Sequence, residues 1–409
     1  MRTPFEGKKI LLGVTGSIAC YKSVDLASKL AQAGASVDTV LTQAAENFLN
    51  PLTFQSVTGR RTYTDDDLWG EEGHILHVGL ARAVDLLLIA PASANTLAKL
   101  AHGLSDNLLS LTALAATCPL LVAPAMDGGM FANPATQANL ETLRERGMKV
   151  LGPVEGHLAS GMRGIGRMLE PADLMGHLRL ALTEGSALQG CKIVVTAGGT
   201  QEPLDPVRVI TNRSSGKQGF ALAQAALDLG AETILISGPS ALATPTGAQR
   251  IDIQTAQEML DAVLENSRDA DVLIMAAAVA DFRPVNTAEQ KIKKRDGLPQ
   301  IKLEPTPDIL SAIPTLKDET GHPQVTVGFA AESQDLEENA RAKLVSKRLD
   351  LIVANEISAP DAGFGVDTNR VTLLYANGKA EVLPLLTKVE VAQAVLDRVA
   401  GLLEAEVAV

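Results

Sequence analysis

KKILLGVTGSIACYK (residues 8–22) and CKIVVTAGGT (residues 191–200) decide the architecture of this 409-residue chain, because each carries a short apolar strand straight into a Gly-rich loop. A parallel strand that ends in small residues lets the backbone come close to a phosphate. The next helix then offers its free N–H groups and positive dipole end to the anion. One such segment occurs in each half, so two nucleotide-type α/β domains in tandem are expected, each with a phosphate-bearing ligand. The length agrees, since 409 residues is more than one hydrophobic core usually serves and 46% apolar content is ordinary for globular α/β chains.

Outward from the first loop, strand-like runs at 10–14, 36–41, 84–90, 120–123 and 149–151 alternate with helix-like stretches at 18–33, 94–101, 108–116 and 134–146. Gly34 and Gly147 sit in helix-stop positions. This βαβ order predicts a mainly parallel sheet. The run TEGSALQG (183–190) loses periodicity and is read as a linker. The second half repeats the alternation, with strands near 193–196, 233–236, 272–275, 325–329 and 351–353 and a helix over 217–229. Two short runs, 371–375 and 380–383, flank Asn377-Gly378 and predict a hairpin, and 388–405 reads as an amphipathic helix. The fold class is therefore α/β, as two tandem three-layer domains on mainly parallel sheets.

Lys plus Arg (36) against Asp plus Glu (48) gives a net charge of −12, which argues against a broad nucleic-acid surface. Any anionic ligand must be met by a local pocket. Cys20, Cys118 and Cys191 are far apart and lack CxxC spacing, so neither a zinc ribbon nor a disulfide framework is suggested and a reducing cytoplasm fits. No apolar run approaches the roughly 18 residues of a membrane helix. Lys8 and Lys9 ahead of ILLGVTGSIAC imitate a signal peptide, but the apolar core is too short, and the same residues read as strand, turn and helix. A soluble, cytoplasmic protein is expected.

Neither loop matches a common fingerprint alone: GVTGS and AGGTQ are not GxGxxG, and Gly216-Lys217 lacks the Ser or Thr that follows in a Walker A loop. Order along the chain carries more weight. The first half contains GVTGSIACYK, LTQAA, HVGLARAVDLLLIAPASANT, SDNLLS, APAMDGGM and ASGMRGIGRM. The second contains VTAGGTQEPLDPVRVITNRSSGKQGFALA, AAAVADFRP, KIKK, PTPDIL, VGFAAE and KxxxKxxD at Lys343. Over nearly its whole length this set resembles the bacterial bifunctional enzymes of coenzyme A synthesis, in which phosphopantothenoylcysteine decarboxylase is joined to phosphopantothenate-cysteine ligase. The resemblance implies a flavodoxin-like flavoprotein domain over 1–185 with FMN, and a Rossmann-like ligase domain over 191–409 with CTP and Mg2+. It also implies 4'-phosphopantothenate, L-cysteine and 4'-phosphopantothenoylcysteine as the small-molecule partners. A homo-oligomer follows as well, with trimeric N-terminal and dimeric C-terminal contacts and a dodecamer as the closed assembly.

By resemblance and by their places at strand ends, Gly16, Ser17, Thr42 and Ser93 are the FMN-contact residues, although helix capping also explains them. His77 in HVGLARAVD matches the family's catalytic histidine, with His74 as a decoy. Two positions depart from the family pattern. Asp127 stands in PAMD where PxMN is usual, and Ser160 stands where the flap carries a proton-donating cysteine. Two unit charges about 4 Å apart at an effective dielectric of about 20 repel by roughly 4 kcal/mol, so an ionised Asp127 facing a substrate carboxylate would weaken binding. A neutral Asp127 that donates a hydrogen bond and stands in for the lost thiol acid is the expectation, against the plainer reading that Ser160 only closes the lid over the flavin.

In the second half, cations and backbone donors must converge on the phosphates of an activating nucleotide. Lys291 in KIKK, Lys343 and Lys347 are the candidate cations, against the plain reading of a solvated basic run. The resemblance assigns Asn212 to the acyl-cytidylate, Lys291 to catalysis and CTP, and Asp281, Pro307, Asp308, Ile309, Leu310 and Phe329 to the CTP site. Met275, Ala276 and Ala277 end a strand, where backbone groups can read a base. Two other readings stay open at this point: a first half retained as a flavin-binding or regulatory module that is impaired or stops at the enethiol, and a ligase whose first half is purely structural.

Overall fold

The computed structural model describes residues 3–69, 73–183, 185–293, 300–332, 336–356 and 366–407. The side chain of His74, linker residue 184 and Lys294 of KIKK lie outside the described residues. The chain divides into two compact units, Met1–Leu182 and Thr183–Val409.

The first unit begins β1 (Lys9–Val14), α1 (Cys20–Gln32), β2 (Ser36–Leu41), α2 (Gln43–Glu46), α3 (Pro51–Thr58), β3 (Thr62–Tyr63), α4 (Gly73–Arg82) and β4 (Leu86–Ala92). It continues α5 (Ala94–His102), α6 (Leu108–Ala115), β5 (Leu120–Pro124), α7 (Gly128–Ala132), α8 (Pro134–Glu145) and β6 (Lys149–Val150), and closes with β7 (Val154–His157), β8 (Arg163–Arg167) and α9 (Pro171–Ala181). The main sheet has the order β3-β2-β1-β4-β5-β6 and is parallel throughout. Period-2 alternation builds its two cores. Ile10, Leu12 and Val14 face one core with Leu26 and Leu30 of α1, whereas Leu11 faces the other with Leu97 of α5 and Leu109 of α6. Both faces are covered, hence the three layers. The order reverses between β1 and β4, so the connections that leave their C-terminal ends diverge and leave a crevice.

The second unit runs β9 (Lys192–Ala197), β10 (Gln201–Pro203), β11 (Val209–Thr211), α10 (Lys217–Asp228), β12 (Glu232–Ser237), β13 (Gln249–Asp252), α11 (Ala256–Asn266) and β14 (Val272–Met275). Then come β15 (Phe282–Pro284), β16 (Leu303–Pro305), α12 (Ile309–Thr320), β17 (Val325–Glu332), α13 (Leu336–Ser346) and β18 (Leu351–Glu356). The last elements are β19 (Thr368–Asn369), β20 (Val371–Tyr375), β21 (Ala380–Val382), β22 (Leu386–Thr387) and α14 (Lys388–Val407). Its sheet order is β13-β12-β9-β14-β17-β18-β20-β21, parallel as far as β18 and antiparallel for the Asn377-Gly378 hairpin at one edge. Ile193, Val195 and Ala197 face one core and Val194 the other. The switch point falls between β9 and β14. Gly219 on α10 allows the helix to sit on β9, because a Cβ there would lie 2.5 Å from the Ala197 Cβ and 2.8 Å from the Thr196 carbonyl oxygen.

Candidate active sites

The crevice between β1 and β4 opens into a cavity of about 390 Å³. One wall is the loop Gly16 to Ala19 with Tyr21 and Lys22 of α1; another is Ser93 and Ala94 at the start of α5; the rest is Ala125 to Asp127, Met130 and the β7–β8 hairpin. Among the described residues the N–H groups of Gly16, Ser17 and Ile18 find no protein acceptor, and the N-cap of α1, Ala19, has no side-chain cap. Those donors suit a phosphate. Ser93 is fixed in place: its N–H donates to the Thr15 hydroxyl at 2.9 Å, and its own oxygen caps α5 by accepting from the Thr96 N–H.

Gly16, Ser17, Ser93, Asp127 and Ser160 thus share one cavity, while Thr42 and His77 do not line it. Thr42 is buried at the end of β2, where its hydroxyl faces the Val14 carbonyl at 3.4 Å. His77 lies on α4, which packs against α6 and the 3-10 turn Asp65–Trp69. Its Nδ1 is enclosed and has no hydrogen-bond partner.

The expectation of a neutral Asp127 is not met. The Ser160 hydroxyl donates to Asp127 Oδ2 at 2.7 Å, and the Gly129 N–H donates to Oδ1 at 2.9 Å as the N-cap bond of α7. These donors, Ser160 foremost, hold the carboxyl below its ordinary value, so Asp127 is an ionised acceptor at neutral pH and no proton donor. The physical reason is exposure together with donors on both oxygens, where the sequence reading assumed a dry site.

Lys22, the last residue of GVTGSIACYK, has a structural role that its motif does not reveal. It is buried, lines the cavity, and donates to the Met168 carbonyl at 2.8 Å and to Glu170 at 2.9 Å. Arg167 donates to the same Glu170 oxygen at 2.6 Å. The base of the hairpin is thereby tied to α1. Gly166 lets it press close, since a Cβ there would lie 2.2 Å from the Met126 carbonyl oxygen, and the Met126 N–H donates to the Gly166 carbonyl.

The second cavity, about 700 Å³, lies at the C-terminal end of β14 and is lined also by the start of α10, by Phe329 and Ala330 of β17 and by Asn355 of β18. Asn212, Met275, Ala276, Ala277, Asp281, Pro307, Asp308, Ile309, Leu310, Phe329, Lys343 and Lys347 all line it. Asn212 is held over the end of β14 by bonds from its Nδ2 to the Val279 carbonyl at 2.9 Å and the Ala278 carbonyl at 3.4 Å. Asp308 caps α12 and pairs with Lys347 at 2.5 Å, and Lys347 also donates to the Ser311 hydroxyl at 2.6 Å. Partial burial pushes the Asp308 carboxyl up, but the Lys347 and Ser311 donors outweigh it and the net shift is downward.

Lys291 does not line this cavity. Its neighbour Ile292 is anchored by its N–H to Asp205 at 3.1 Å and by its carbonyl to Arg208 at 3.1 Å, and Lys291 itself is exposed. The structure adds residues that the sequence reading missed. Gly216 is a left-handed N-cap that leaves α10 without a side-chain cap, so the first N–H groups of α10 border the cavity with Lys217. Lys388 and Asn369 join them across a long sequence gap: the Gln218 side chain donates to the Lys388 carbonyl and accepts from Asn369. Burial, and then the Lys217 charge, lower the Lys388 pKa. No group of three or more His, Cys, Asp or Glu suited to a metal occurs among the described residues, and no described helix is long and apolar enough to cross a membrane.

Two strand-end cavities, one rimmed by backbone donors and one by cations, fit a flavoprotein unit followed by a second unit that binds anionic groups. Family models agree: "Flavoprotein" matches residues 2–180, and "DNA/pantothenate metabolism flavoprotein C-terminal domain" matches residues 188–403. The coenzyme A biosynthesis bifunctional protein CoaBC of Bacillus subtilis (strain 168) is 44% identical over 400 residues, covering 97% of this chain and 98% of its own. That of Escherichia coli (strain K12) is 42% identical over 399 residues, covering 96% and 97%. A crystal structure of the C-terminal domain of a protein of that name is 42% identical and covers 54% of this chain and all of its own, with a TM-score of 0.46. The chain belongs to the family of coenzyme A biosynthesis bifunctional proteins. It is a bifunctional enzyme with decarboxylase and ligase activities, and matches across both halves do not favour a first half reduced to a binding or structural module.

Proposed function

We propose that residues 191–409 join 4'-phosphopantothenate to L-cysteine in a CTP-dependent reaction through an acyl-cytidylate. Residues 1–185 then remove CO2 from 4'-phosphopantothenoylcysteine to give 4'-phosphopantetheine. The observation that supports this most is the contrast of linings at the two switch points. The first cavity offers orphan backbone donors and apolar walls. The second gathers Arg213, Lys217, Lys343, Lys347 and Lys388 against Asp281 and Asp308, as a triphosphate and a phosphorylated acid require.

In the first unit Gly16, Ser17 and Ile18 would hold the FMN phosphate through their N–H groups, and Ser93 would orient the ring side. FMN, when bound, supplies the two-electron acceptor and donor that lets a carbon–carbon bond break beside a sulfur. Met126, Met130, Leu158 and Met168 exclude water. With its Nδ1 enclosed, His77 would move a proton at Nε2. Because His77 lies off the cavity of its own chain, a neighbouring copy in the homo-oligomer supplies it.

In the second unit Asn212 would hold the acyl-cytidylate, the backbone of Met275 to Ala277 would read the base, and Lys343 and Lys347 would carry phosphate charge. Mg2+ needs only one or two carboxylates beside substrate phosphates. Asp281, which makes no ion pair among the described residues, suits that part better than Asp308, which is held by Lys347. Lys291 would reach a neighbouring site from its exposed loop, with trimeric N-terminal and dimeric C-terminal contacts closing a dodecamer. Three unpaired cysteines suit a cytoplasmic setting. The test is direct: purified full-length protein should be yellow and release FMN on denaturation. It should form CMP and pyrophosphate from CTP only when 4'-phosphopantothenate and Mg2+ are present. Colourless protein would overturn the first half of the reading, and turnover of ATP in preference to CTP the second.

A further inference from the structure

The β7–β8 hairpin forms one wall of the first cavity and is held at its two ends in different ways. Its base is secured by the Met126 N–H to Gly166 carbonyl bond, by the close approach that Gly166 permits, and by the Arg167–Glu170 pair. Its tip turns between Leu158 and Met162, where the Leu158 N–H donates to the Met162 carbonyl and the Gly161 N–H to the Leu158 carbonyl, both bonds within the tip itself. Among the described residues one side-chain hydrogen bond ties that tip to the body of the unit: Ser160 Oγ to Asp127 Oδ2, 2.7 Å. The acceptor is pre-oriented, because Asp127 Oδ1 is already committed to the Gly129 N–H.

We propose that Ser160 and Asp127 work as one positioning pair, a clasp that pins the hairpin tip over the cavity, and that each is functional only while the other is present. A hydroxyl facing an ionised carboxylate can only donate, and such a bond is shorter and stronger than one between neutral groups. An amide at 127 would commit its one oxygen to the helix cap and leave Ser160 only a weaker bond between neutral groups in place of a charged acceptor. A thiol at 160 would make a longer, weaker bond to the carboxylate. Ser160 on this account donates to Asp127 in the closed state and does not serve as the acid of the reaction.

The clasp rests on the first-cavity reading only for what it retains, so the experiment has two arms. Hydrogen exchange at the amides of 157–163 is followed in the full-length protein, and FMN release is followed by the rise in flavin fluorescence on dilution. The variants are S160A, D127N, the double variant and S160T. S160A and D127N should each raise tip exchange and FMN release several-fold, the double variant should do no more than either single one, and S160T should stay near the parent. Exchange at the base around Gly166 should not change, which separates loss of the clasp from loss of the fold. Additive effects in the double variant, or tip exchange unchanged in S160A, overturn the clasp. If exchange behaves as expected but no flavin is bound, the flavin reading fails and the clasp stands.

Discussion

The two cavities occupy equivalent places, each at the switch point of a largely parallel sheet, yet they are built from different material. The first depends on backbone geometry: free N–H groups at Gly16 to Ile18, glycine contacts under the hairpin, and one hydroxyl-to-carboxylate hydrogen bond at the tip. The second depends on side-chain charge, and its cations come from three separated stretches, at 213–217, 343–347 and 388. A resident cofactor can be gripped by a preformed cradle, whereas a co-substrate that must enter and leave is better met by mobile charged side chains. In both units the lining holds the ligand groups but omits one expected reacting group, His77 in the first and Lys291 in the second.

The strongest way to break this comparison is to damage one cavity and watch the other. Gly219→Ala places a methyl against Ala197 and the Thr196 carbonyl, overpacking of a kind that costs about 1–3 kcal/mol. Expressed fully at the site, that cost should cut ligation by up to about 100-fold while the protein stays yellow; bleaching would show that the two units do not behave independently. His77→Ala should lower decarboxylation by roughly 10²–10⁴-fold, the span of a lost acid–base group, without changing flavin content or ligation. Retained CO2 release in that variant would remove His77 from the chemistry. Lys347→Met breaks the bonds to Asp308 and Ser311 and should raise the KM for CTP about tenfold, the size of one charge-assisted contact, with flavin retention unaffected.

Acid should sharpen the contrast more gently. Donors hold the Asp127 carboxyl below its ordinary value, so the clasp it accepts is fully present above the usual carboxylate range and is lost as pH falls through the depressed folded value. FMN release should therefore quicken in acid in the parent protein and respond less in Asp127→Asn. Tyr21, Lys22, His157 and Arg167 also line that cavity and remain in both proteins, so a response of equal size in the two would assign the effect to them.

Much of the architecture was legible in the sequence because the central strands are buried on both faces and so appear as apolar runs: ILLGV, LLLIA, KIVVT and VLIM fall in strands of the two sheets. The small hairpins were not. VEGH and RGIGR are exposed and Gly-containing, and a strand with no buried face has no period to read. Helices α2 and α3 were missed although Asn50-Pro51 and Gly59 mark the ends of α3, because the 43–58 segment buries only Ala45 and Phe54 in its helices. At the sites, strand-end residues could be found from motifs. Contacts between distant loops could not: Ser160 meets Asp127 across 33 positions and Lys388 meets Gln218 across 170, and neither pair leaves a mark in either local sequence. The charge state of Asp127 followed from those contacts, which is why it was misjudged.

The central claim is that the two crevices carry out successive steps on one substrate. Mass spectrometry of a single reaction containing full-length protein, 4'-phosphopantothenate, L-cysteine, CTP and Mg2+ tests it most directly. The expected product is 4'-phosphopantetheine, formed through 4'-phosphopantothenoylcysteine with loss of CO2. Accumulation of the carboxylated intermediate alone, or of the unsaturated enethiol as the end product, would contradict the account.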